Sequence, residues 1–80
     1  MKTPRDWSGS DLIARLATIG YEVTRQSGSH VRLSRKDPEG DHHITVPLHL
    51  PLRVGTLNAI LSDIATHLRI EKQALLSRLT

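Results

Sequence analysis

The chain has 80 residues, with eleven Lys and Arg, eight Asp and Glu and five His, for a formal net charge of +3. That length suits one domain spanning 1–80 and buries only about 60–65% of its unfolded surface, so modest stability is expected. Cysteine is absent, which excludes a disulfide framework and a thiolate metal site, and no stretch approaches the roughly 20 apolar residues of a membrane span.

The opening MKTPRDWSGS carries no apolar leader, so a soluble, cytoplasmic protein is expected. Trp7 and Tyr21 are the only aromatic residues, so Leu, Ile, Val and Ala must build the core. In Ser8-Gly-Ser-Asp11 a hydroxyl and an acid stand three apart, as in a capping box. Leu12, Ile13, Leu16 and Ile19 follow at helical spacing, which predicts a helix over about 9–19 with Gly20 just past its end. YEVTRQ (21–26) alternates, with Tyr21 and Val23 expected inward and Glu22, Thr24 and Gln26 outward. Ser27-Gly28-Ser29 is a turn signal, HVRLSR (30–35) alternates again, and KDPEGD (36–41) is a second turn. HHITVP (42–47) reads as a third strand with Ile44 and Val46 inward, ended by Pro47.

After LHLPLRV, the stretch GTLNAILSDIATHLRI places Leu57, Ile60, Leu61, Ile64, Ala65 and Leu68 on one helical face. IEKQALLSRL fits a short last helix with Ala74, Leu75 and Leu79 apolar. The predicted fold class is α+β. Its core is α-β-β-β-α, a three-stranded antiparallel sheet with both long helices on one face and a short C-terminal helix added.

The cations are unevenly placed: Arg25, Arg32, Arg35 and Lys36 fall within RQSGSHVRLSRK (25–36), which contains no acid. Such clustering favours a phosphate-bearing partner. Because Val31 and Leu33 must face the helices, His30, Arg32 and Ser34 face the other way. His30 then stands on the open face at the turn, either as an ordinary surface histidine or as a proton-transfer group among cations. RNA carries its own nucleophile, the 2′-hydroxyl. Cleavage needs that proton removed, the 5′-oxygen protonated and the phosphoryl charge stabilised. Histidine suits the first two tasks and arginine the third. Ser29 and the Gly28 backbone could approach the phosphate, and His49 could share the rim. This chemistry calls for no cofactor or metal. His42, His43 and His49 lack the helical H-x-x-x-H spacing of a metal site, and no nucleophile elbow supports a Ser-His-Asp hydrolase. His67 has an ordinary explanation in a helix C-terminus.

The helix end IGYEVTRQ, then GSH opening a strand, then TVPLH, then GTLNAIL opening a helix resemble, in that order and spacing, the HicA (YcfA-like) toxins over about 8–68. Residues 69–80 form a C-terminal helical extension beyond the resemblance. The resemblance implies a fold like the double-stranded RNA-binding domain and mRNA interferase activity in a type II toxin–antitoxin system. It also implies neutralisation by a HicB-type antitoxin in a hetero-oligomeric complex. The family's catalytic histidine corresponds to His30, and the histidine after V-P corresponds to His49. An acidic antitoxin covering the basic face would complement its charge. The alternative is a non-catalytic RNA-binding module, although the aromatic platforms common in single-strand binders are nearly missing.

Overall fold

The computed structural model describes residues 3–80; Met1 and Lys2, which begin the stretch searched for a leader, lie outside it. The elements run α1 (Gly9–Ala17), β1 (Glu22–Ser27), β2 (His30–Arg35), β3 (His42–Pro47), α2 (Val54–Leu68) and α3 (Lys72–Leu79). The three strands form one antiparallel sheet in the order β1-β2-β3, so the α+β architecture expected from the sequence is present. No helix among the described residues is long and apolar enough to cross a membrane.

The capping box forms as the sequence implies. The Asp11 N–H donates to Ser8 Oγ and the Ser8 N–H donates to Asp11 Oδ2, each at 3.0 Å, satisfying two amides that a helix start leaves free. α1 buries Leu12 and Leu16, α2 buries Leu57, Ile60, Leu61, Ile64 and Ala65, and β2 and β3 supply Val31, Leu33, Ile44 and Val46 from below. Leu75, Leu76 and Leu79 of α3 are also buried, so the C-terminal extension completes the core. Of the apolar residues noted in this segment Ala74 is exposed, and Leu76 is buried beside Leu75 and Leu79.

β1 departs from strict alternation. Val23 pairs with Leu33, but the next pair is Arg25 with Arg32, so Thr24 is an extra residue in a β-bulge. Two expectations change as a result. Val23 shares a face with Leu33 yet remains 52% exposed on the edge strand β1. Gln26 pairs with Val31 and joins the helix-side face instead of the outer one.

One close approach positions the site. The Gly9 N–H donates to the His49 carbonyl at 2.9 Å, laying the start of α1 against the segment after β3. A Cβ at Gly9 would collide with the Pro47 carbonyl oxygen and stand 2.9 Å from Leu48 Cα. Both neighbours are backbone, which yields little. Gly9→Ala should therefore lower stability by about 1–3 kcal/mol, the usual range for overpacking. The exposed neighbour Ser10→Ala should stay within about 0.5 kcal/mol of the wild type. Urea unfolding measures both, and an unchanged midpoint for Gly9→Ala would contradict this packing.

Candidate active site on the open sheet face

Cross-strand partners sort the site into rungs. On the open face Ser27, His30 and Pro47 form the rung beside the turn, followed by Arg25, Arg32 and Thr45, then Glu22, Ser34 and His43. The helix-side rungs are Gln26, Val31 and Val46; then Val23, Leu33 and Ile44; then Arg35 and His42. His30, Arg32 and Ser34 thus lie on the face predicted for them. Without the bulge at Thr24, Arg25 would have followed Tyr21 and Val23 to the helix side. The extra residue moves it opposite Arg32 instead.

The turn that presents His30 has two residues between the paired Ser27 and His30. Gly28 has φ +58, while Ser29 is not among the residues of positive φ. This is the pattern of a type II′ hairpin turn, which asks for glycine at its first central position. A Cβ at Gly28 would meet nothing within 4 Å, so glycine is required there for its conformation. The Ser29 carbonyl accepts from the Leu48 N–H at 2.7 Å, which ties the turn to the chain leading to His49.

The five histidines divide into two groups. His30 and His49 are exposed, and both belong to the turn end of the sheet. The other three are tied by ring nitrogens. His43 Nδ1 lies 2.6 Å from Ser34 Oγ, and His67 Nε2 donates to Asp37 Oδ2 at 2.6 Å. His42 Nε2 donates to Asp63 Oδ1 at 3.1 Å, so in the neutral ring Nδ1 accepts from the Tyr21 hydroxyl at 2.7 Å. The rings of His42 and His67 stack at 4.2 Å with 10° between their planes. This cluster closes the end of the sheet away from His30. His67 lies in the last turn of α2, as its position in sequence suggested, and Asp37 holds its ring as well.

Arg35 belongs to the same cluster. Its Nε donates to the Ile19 carbonyl at 2.9 Å and its Nη1 to Asp37 Oδ1 at 2.6 Å. It sits on the helix side, paired with His42, away from His30 and Arg32. Lys36 is exposed just beyond it, at the same distant end. Of the four cations in RQSGSHVRLSRK, the open face therefore brings Arg25 and Arg32 close to His30. The bulge that achieves this leaves no clear signal in VTRQ. Among the described residues, no three His, Cys, Asp or Glu side chains converge in a way that could hold a metal ion.

The profile of the family described as "HicA toxin of bacterial toxin-antitoxin" matches residues 9–65. The chain belongs to the HicA toxin family. No curated protein and no solved structure matches it. Membership places the chain in a toxin–antitoxin system and implies an antitoxin partner. The HicA match runs from the start of α1 nearly to the end of α2, so it contains the turn, His30, both open-face arginines and His49. α3 lies beyond it.

The distal cluster sets a pH limit on the fold. Burial pushes the Tyr21 hydroxyl up to about 12; the nearby Arg35 opposes this, and Asp37 and Asp63 add to it. Its folded pKa thus exceeds the ordinary value of about 10, so its stabilisation is complete below pH ~10 and is lost as pH rises towards ~12. Asp37 works in the opposite direction. The hydrogen bond from His67, followed by the Arg35 charge, holds its carboxyl below the usual range, so that contribution is lost on acidification. Tyr21 is the chain's single tyrosine, so tyrosinate absorbance reports it alone. That signal should rise together with loss of far-UV circular dichroism between pH 10 and 12, and Tyr21→Phe should move the unfolding to higher pH. Ionisation near 10 with the fold intact would contradict the burial.

Proposed function

We propose that the chain is an mRNA interferase, a toxin that cleaves mRNA in the cytoplasm by metal-independent attack of the 2′-hydroxyl and so stops translation and growth. The observation that carries this reading is the pairing of Arg25 and Arg32 directly across two strands, one rung from an exposed histidine. Like charges in that relation repel and weaken a sheet. Binding a phosphodiester offsets the repulsion, and the fork of donors on each guanidinium suits phosphoryl oxygens.

In this mechanism His30 is the acid/base group. Among the described residues its ring makes none of the hydrogen bonds that occupy His42, His43 and His67, which suits its ring nitrogens to a substrate. As base it takes the 2′-hydroxyl proton; as acid it delivers a proton to the 5′-oxygen as that bond breaks. An imidazole can both accept and deliver a proton, which suits both directions. Arg25 and Arg32 neutralise the charge developing on the phosphoryl oxygens. Gly28 and Ser29 bring backbone and hydroxyl close to the phosphate, and His49 can supply the complementary proton step. Lys36 contacts phosphate further along the strand, while Arg35 is committed to Asp37 and contributes through the fold. A HicB-type antitoxin, acidic where it meets Arg25 and Arg32, covers this face and silences it in a hetero-oligomeric complex.

His30→Ala tests the assignment. The side chain is exposed, so stability should change by no more than about 0.5 kcal/mol. Cleavage should fall by roughly 10²–10⁴-fold, the usual contribution of general acid–base catalysis. RNA and antitoxin binding should persist, because the arginines remain. A folded His30→Ala protein that cuts RNA at the wild-type rate would leave the face as a binding module only. Arg25→Ala and Arg32→Ala should each weaken RNA binding and flatten its salt dependence by about one phosphate contact, read as the slope of log affinity against log salt.

A further inference from the structure

The open face does not stop at β3. A groove of ≈ 440 Å³ runs over the free edge of that strand to α2, with Arg32, His43, Ile44, Ala59, Ile60 and Asp63 on its walls. Its size is within the range of small-ligand sites. Ala59, Ile60 and Asp63 are three and four residues apart, so one helical face supplies the apolar wall and the carboxylate together. A second groove of similar volume lies at the distal end, lined by Arg35, Asp37, Glu39, His67, Arg69 and Arg78, and all of these but Arg78 pair with one another. In the first groove the Asp63 side chain is 58% exposed and spends Oδ1 on His42.

Position ties the groove to the site. At about 3.4 Å per residue, Arg32 lies about 7 Å from His30 along β2, and the Ser34–His43 rung about 14 Å. A strand of RNA with its scissile phosphate at His30 would pass Arg32 and reach the groove with a flanking nucleotide. The polar groups of the groove differ in kind. Asp63 only accepts hydrogen bonds. His43 has Nδ1 occupied by Ser34, whose oxygen in turn lies 3.2 Å from Thr24 Oγ1. The Thr24 hydroxyl has the Arg32 carbonyl as an acceptor, and when the Ser34 hydroxyl donates along the shorter contact to His43 Nδ1, the neutral imidazole carries its proton on Nε2 and presents a donor.

We propose that this groove is a guanine subsite, in which Asp63, through Oδ2 and the second lone pair of Oδ1, accepts from N1–H and N2–H₂ of a base flanking the cut and His43 Nε2 donates to O6. Among the four RNA bases only guanine places two adjacent donors beside an acceptor on its Watson–Crick edge, the edge by which single-stranded bases are read. Adenine and cytosine would turn a lone pair towards the carboxylate, and uracil has one donor between two acceptors. The faces of Ile60 and Ala59 support the ring in a protein with few aromatic residues to stack on.

The inference rests on the open face taking RNA, and its test does not need cleavage. Anisotropy of labelled single-stranded oligouridine, carrying one guanosine or one inosine, is measured with the His30→Ala protein. Inosine lacks the 2-amino group and leaves one donor to Asp63 missing. The guanosine strand should bind about tenfold more tightly than the inosine strand, as for a lost hydrogen bond to a charged group. Asp63→Asn should erase that difference. Ala59→Met, which narrows the groove from an exposed helix position, should erase it too. Equal affinities for the two strands, or a difference that survives Asp63→Asn, would overturn the subsite. So would an Ala59→Met protein that keeps base discrimination and loses antitoxin binding, since the groove would then seat a protein strand. If guanosine is preferred but the wild type cuts no RNA, the subsite stands and the nuclease reading falls.

Discussion

A sheet of three strands covered on one side has to sort every residue of its middle strand. β2 has a neighbour on both edges and helices on one face, so its period of two leaves no freedom. Val31 and Leu33 are inside at 3% and 1% exposure, and His30 and Arg32 are outside because their neighbours are inside. Slipping β2 by one residue would bury a histidine and an arginine and expose two large aliphatic side chains. The hydrophobic effect that builds the core therefore also fixes where the candidate chemistry stands. The turn then decides how far His30 is presented, since Ser27 and His30 close a two-residue loop around Gly28.

The two ends of the sheet use the same residue types for different purposes. At the distal end, histidine, arginine, aspartate and tyrosine satisfy one another, and the cluster holds the 36–41 turn and α2 against the sheet. At the turn end the histidines are exposed, and the arginines face each other with no acid among their cross-strand partners. Paired groups there would have stabilised the fold. Left exposed, the arginines form a face suited to a polyanion.

Much of this arrangement is legible in the sequence because it rests on local rules. The capping box at Ser8 and Asp11, the apolar stripe of α2 and the alternation of HVRLSR each depend on residues close in the chain. The turn at Gly28 is equally local. What escapes such rules depends on distant partners. The bulge at Thr24 exists in relation to Arg32 and Leu33 on the neighbouring strand, and it alone carries Arg25 to the open face. Arg35 looks like another member of a basic run until Asp37 and the Ile19 carbonyl are seen to hold it. His67 and Asp37 are thirty residues apart in sequence, so no local pattern joins them. Gly9 reads as part of a helix start, and only the returning chain at Pro47 and Leu48 shows why a side chain is excluded.

In the proposed mechanism RNA supplies the nucleophile and this face moves the protons. The ends of the cleaved RNA test it most directly, with the reaction run in EDTA on a substrate whose cleavage position has been mapped. A 2′,3′-cyclic phosphate is expected on one fragment and a 5′-hydroxyl on the other. A single 2′-deoxy substitution at the mapped nucleotide should abolish that cut alone. A 3′-hydroxyl with a 5′-phosphate, or cleavage of the 2′-deoxy strand at an unchanged rate, would contradict it.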